Sequence, residues 1–196
     1  MQFVVMDLEW NGAYCRQTHG YFNEIIEIGA CRVDREGHVV SRFSELIRPR
    51  VYKRLDKHIK QVTGITEQEL AQGRPFSDVF GDFISWCGED AQLVTWGRDD
   101  YPVLKRNAAF FMTPMPFAPP IDAQLVAMIA SGMKSVGFSA PNCARSETIV
   151  VDKMVTPAGF STKNVTIARL AVFLSGLCRC MHSIALRPLG VAAEPS

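Results

Sequence analysis

Four consecutive apolar residues, Phe3 to Met6, run straight into Asp7-Leu8-Glu9, and this abrupt change constrains the fold more than any other stretch. A run that short and that apolar reads as a strand buried on both faces. Side chains alternate along a strand, so Asp7 and Glu9 project to the same side at its carboxyl end. Two ionised carboxylates on one face repel each other unless something positive lies between them. Mg²⁺ and Mn²⁺ prefer oxygen ligands, and a pair of such ions about 3.5–4 Å apart is a common device for in-line displacement at phosphorus. On this stretch alone, an apolar strand that meets a charged turn is an equally good description.

At 196 residues the chain suits one domain with a sizeable core, and its 47% apolar and 21% charged residues are ordinary for a soluble protein. The net charge of +1 argues against a surface coated with basic patches. It leaves room for a cleft whose local Lys/Arg rim holds a strand end. Cysteines 15, 31, 87, 143, 178 and 180 lack a paired metal-binding spacing, and Cys178-Arg179-Cys180 has no partner pair nearby. With no secretory segment ahead of the first strand, a reducing cytoplasm is the expected location. No apolar run approaches the ~20 residues that cross a bilayer, so no membrane partner is expected. Nothing in the sequence sets an oligomeric state.

Gly12 to Phe22 is polar with scattered aromatics and reads as a loop rimming the two acids. Glu24 to Val33 reads as a second strand, Asp34 to Gly37 as a turn, and His38 to Ile47 as a third strand ended by Pro49, which makes an antiparallel meander. Val51 to Gln61 is rich in Lys and Arg around Tyr52, Leu55 and Ile59; it suits a phosphate grip or a solvated helix face equally well. Thr66 with Glu69 three residues on is a capping box. Pro75 to Cys87 is a helix whose apolar face is Phe76, Val79, Phe80, Phe83, Ile84 and Cys87. Gln92 to Trp96 is a buried strand that exits tightly into a helix continuing through Phe111, with Asp99 placed as its N-cap and Asp100 left for another role. Thr113 to Pro120 is a Pro-rich loop, and Ile121 to Met133 reads as a further helix.

Taken together, D-L-E-W-N, E-I-I-E-I-G-A, T-G-I-T, G-R-P-F and T-W-G-R-D-D resemble, in order and spacing, the DEDD superfamily of 3′–5′ exonucleases, nearest its Eri-1-like and KapD-like branch. The resemblance covers residues 1 to about 130. It implies an α/β, RNase H-like fold: a mixed sheet whose first three strands are antiparallel, with helices on both faces. It also implies that Asp7, Glu9 and Asp100 ligate metal, as a two-metal Mg²⁺ or Mn²⁺ centre that hydrolyses the terminal phosphodiester at a single-stranded RNA or DNA 3′ end. Trp10, Asn11 and Trp96 would then lie where a terminal nucleotide binds, with Trp10 able to stack on a base. A half-buried packing role for Trp10 is an equal alternative.

The third motif of the active enzymes, H-x-x-x-x-D on a late helix, is missing, so the general base is unassigned. Aligning the late helix-like segment would put Ala158 at the histidine and Lys163 at the aspartate. Residues 1–133 are thus family-like and 134–196 atypical within one exonuclease-like domain. Two explanations stay open. One is an inactive relative that keeps the fold as a nucleic-acid or protein-binding surface. The other is a reading-frame slip between Ser135 and Thr166, since a neighbouring frame permits a histidine–aspartate motif where Gly159 to Ile167 stand.

Overall fold

The computed structural model describes residues 2–34, 37–52 and 54–126. Their elements are β1 (Gln2–Cys15), β2 (Gly20–Val33), β3 (Val39–Leu46), α1 (Lys57–Thr63), α2 (Glu67–Gln72), α3 (Phe76–Cys87), β4 (Ala91–Thr95), α4 (Asp100–Phe110) and β5 (Ile121–Asp122). The five strands form one sheet in the order β3-β2-β1-β4-β5. β3, β2 and β1 are antiparallel, whereas β4 and β5 run parallel to β1 and to β4 respectively. This is the mixed sheet expected, with β1 in its interior, and it explains why Val4, Val5 and Met6 are all buried.

Helices cover both faces. Val4, Met6 and Leu8 of β1, with Ile28 and Ala30 of β2, pack against Phe76, Val79, Phe80 and Phe83 of α3 and against Val103, Leu104 and Ala108 of α4. On the other face Ile26 packs with Leu55, Ile65 and Leu70 around α1 and α2. The apolar stripe of α3 is buried as its three-and-four spacing predicts. The Thr66–Glu69 capping box forms reciprocally and opens α2. In the basic stretch, residues 57–63 are helical, with Asp56 as N-cap.

Three local expectations need correction. Gly12 to Phe22 is no open loop: β1 continues to Cys15 and β2 starts at Gly20, so only residues 16–19 turn. Cross-strand pairing with the buried Phe22 extends the ladder beyond what local polarity suggests. Asp99 occupies the N-cap position of α4 but makes no capping bond through its side chain. Ile121 and Asp122 do not begin a helix; they pair with Val94 and Thr95 as β5. The Asp122 carboxylate then accepts the Leu125 N–H, and residues 123–126 are helical. The rest of the expected 121–133 helix, and the whole atypical segment 134–196, lie outside the described residues.

Candidate active site

β1 outruns β4. Their pairing ends at Val5↔Val94, so at the carboxyl end of β4 the β1 backbone runs on without that partner. Open α/β sheets present ligands at the carboxyl ends of their parallel strands. After β4, Thr95 Oγ1 donates to the Gly97 carbonyl at 2.9 Å and Gly97 takes φ +102°, a conformation that glycine tolerates and side chains resist. The tight turn starts α4 at once and sets Asp100 in its first helical turn. The Leu8 N–H donates to Asp100 Oδ1 at 3.1 Å. A residue 92 positions away thereby accepts the backbone N–H that lies between Asp7 and Glu9.

Asp100 is buried, and so is most of Asp7. Burial pushes the Asp7 carboxyl up to about 6, helped by the charge of Glu27, against the lowering effect of the Leu8 N–H. Burial likewise pushes Asp100 up to about 7, helped by the charge of Asp7. The two acids are electrostatically coupled, and the pair resists carrying two negative charges. No described Lys, Arg or His forms an ion pair with either.

Glu27 belongs to this charge cluster and was missed in the sequence. The β1–β2 register passes from Glu9↔Glu27 to Trp10↔Ile25, so β2 carries a bulge. On an unbulged strand Glu24 and Glu27, three apart, would face opposite sides. The extra residue puts Glu27 opposite Glu9 and Glu24 opposite Asn11, on the face of β1 that carries Asp7. Ser44 Oγ donates to Glu27 Oε1 at 3.2 Å. Asn107, fully buried on α4, patches the bulge: its Oδ1 accepts the Ile25 N–H at 3.1 Å, and its Nδ2 donates to the carbonyls of Asn23 and Val103. The helix that bears Asp100 is thus tied to the sheet at two points.

The other expected site residues fall less simply. Glu9 is half-buried and engaged within the chain. Among the described residues, no group of three His, Cys, Asp or Glu stands at metal-binding geometry. Trp10 is half-buried and packs against the main core. Trp96, at the exit of β4, is also half-buried. Asn11 is 2% exposed, and its amide joins Arg54 and Asp56, so its geometry speaks for holding a loop and against touching substrate.

Residues 4–142 match the family model described as Exonuclease. The chain belongs to that exonuclease family. It is similar to the probable 3′–5′ exonuclease KapD of Bacillus subtilis (strain 168), with 34% identity over 119 residues. That match covers 58% of this chain and 56% of the relative, so the chain spans little more than half of KapD. Among solved structures, the nuclease domain of 3′hExo, a DEDDh family member bound to rAMP, has a TM-score of 0.58 at 20% identity and covers 95% of this chain and 94% of its own. Exonuclease X in complex with 5′ overhanging duplex DNA has a TM-score of 0.50 at 18% identity, with 94% of both chains covered. These likenesses agree with the RNase H-like sheet, and the resemblance to the DEDD superfamily holds.

The family uses divalent metal, and the donor set here fits one. Asp7 and Asp100 are hard oxygen donors brought together through Leu8, and the negative charge around them favours a cation. Mg²⁺ needs only one or two protein carboxylates, with waters and substrate phosphate completing its shell.

Proposed function

We propose that this chain is a divalent-metal-dependent 3′–5′ exonuclease that removes nucleotides from single-stranded RNA or DNA ends, with Asp7, Glu9 and Asp100 holding Mg²⁺ or Mn²⁺. The observation that carries the reading is the bond from the Leu8 N–H to Asp100, which brings an acid from the second half of the described chain to the backbone between Asp7 and Glu9. The KapD and 3′hExo likenesses support the same reading. When bound, the metal would activate water toward the terminal phosphodiester and stabilise the leaving 3′ oxygen.

The protein's own part is positioning and charge. Leu8 N–H orients the Asp100 carboxyl through one oxygen. Ionisation of Asp7 and Asp100 is disfavoured without a cation, so they bind one with release of protons near neutral pH. Trp10 follows Glu9 on β1 and Trp96 follows β4; both are half-buried, and their exposed parts suit a terminal base.

The missing H-x-x-x-x-D motif favours a second reading, an exonuclease fold that binds nucleic acid or protein without cleaving it. Loss of a general base alone forfeits about 10²- to 10⁴-fold in rate. One experiment separates the two: a labelled single-stranded oligonucleotide is incubated with the chain in Mn²⁺ beside Asp7→Ala. Stepwise shortening from the 3′ end that Asp7→Ala abolishes supports the nuclease. Binding without shortening by either protein overturns it in favour of the binding module.

A further inference from the structure

From the end of β3 into the first turn of α1, a basic segment, residues 48–58, runs along the β1–β2 hairpin. The hairpin grips it by three devices, all beyond the bulge. The Glu24 carboxylate, 1% exposed, accepts the N–H groups of Arg50 at 2.6 Å, Val51 at 2.9 Å and Tyr52 at 2.9 Å. The Tyr52 hydroxyl reaches the carbonyls of Ala13 at 2.5 Å and Phe22 at 3.0 Å. Asn11 Nδ2 donates to the Arg54 carbonyl at 2.9 Å, and its Oδ1 accepts the Asp56 N–H at 3.0 Å.

A buried carboxylate is a costly way to shape a loop, since desolvation disfavours its charge. Here burial raises the Glu24 carboxyl against the lowering effect of the backbone N–H groups of Val51, Tyr52 and Arg50. The grip gives two exposed cations, Arg54 and Lys57, a fixed backbone. Arg54 is bonded through its carbonyl to Asn11, two residues beyond Glu9 on the strand that carries the acids.

We propose that Glu24 and Asn11 are positioning residues that hold Arg54 and Lys57 on the acid-bearing strand's side, where they engage the phosphates of an entering single strand. The proposal rests on the nucleic-acid reading above. It carries a sign that simple electrostatics does not. If Glu24 acted only as a negative charge near a basic ledge, Glu24→Gln would tighten binding of an anionic strand. If Glu24 places the ledge, Glu24→Gln weakens it, because the amide offers one acceptor oxygen where two are used.

The test is fluorescence anisotropy of the full chain with a fluorescein-labelled single-stranded oligonucleotide in EDTA, which removes catalysis and metal from the readout. Glu24→Gln and Asn11→Ala are each expected to weaken binding about 5- to 10-fold, and Arg54→Ala with Lys57→Ala about 10-fold or more, with a salt slope shallower by about 1.4. Combining Glu24→Gln with the charge removals should add little, because both act through the same contacts. Full additivity, or unchanged or tighter binding by Glu24→Gln, overturns the positioning role while leaving the nucleic-acid reading intact. Should Glu24→Gln not fold, Asn11→Ala decides between the same two outcomes. A wild-type chain that does not bind the strand overturns both.

Discussion

Replacing Asp100 by asparagine should stabilise the metal-free protein at alkaline pH. The Asp100 carboxyl is raised from 3.8 to about 7, largely by burial and then by the charge of Asp7. Its native form therefore holds a proton that the unfolded chain has already released between those values. Stability falls as pH rises through that window, and the full cost is present above about pH 7. A rise of roughly three pH units at about 1.36 kcal/mol each gives a ceiling of about 4 kcal/mol. Local solvent rearrangement would reduce this to roughly 2–4 kcal/mol. Asparagine stays neutral and keeps an oxygen for the Leu8 N–H, so the bond at 3.1 Å has a substitute acceptor. Urea unfolding in EDTA, followed by tryptophan fluorescence, should show the variant more stable at pH 8 by that amount, with the gain falling by more than half at pH 5. Adding Mn²⁺ should narrow the gap: wild type would gain about 2.7 kcal/mol at a hundred times its dissociation constant, and the variant little. A variant less stable than wild type at pH 8 in EDTA would refute the idea that Asp100 is a charge held at a cost for a cation.

Asn107→Leu should destabilise the fold by about 2–4 kcal/mol, because it strands the buried Ile25 N–H and removes the partner of the Asn23 carbonyl; it should also weaken Mn²⁺ binding, measured by calorimetry, by loosening the helix that bears Asp100. An unchanged urea midpoint would argue that the bulge does not depend on α4. Thr66→Ala should cost about 1 kcal/mol through loss of the capping box and leave oligonucleotide binding unaltered, since the Thr66 side chain bonds only within that box, to Glu69. A loss of binding without a loss of stability in that variant would place α2 in the site.

Some of this is local enough to be legible in one dimension. The buried first strand, the Thr66–Glu69 cap and the apolar stripe of α3 each follow from neighbours a few residues apart, where spacing alone sets which side chains share a face. The acids at 7, 9 and 100 were legible as candidates only through their motif context, because nothing in spacing joins residues 92 apart. Glu27 was invisible because its grouping with Asp7 depends on a bulge that changes the parity of β2. Asn11 and Glu24 look like a polar turn residue and a strand-edge acid, and only the run of segment 48–58 along the hairpin gives them partners.

The sequence by itself therefore determined most of the elements, the antiparallel opening of the sheet and the exonuclease family, because these rest on alternation, helical period and motif order. Only the tertiary structure decided that β4 stops short of β1, that Asp100 takes the backbone N–H left open there, and that a bulge gathers Glu24 and Glu27 onto the acid-bearing face. Hydrogen bonds and charges act between atoms brought close in space, and at these positions the folded chain sets that distance with residues from far along its length.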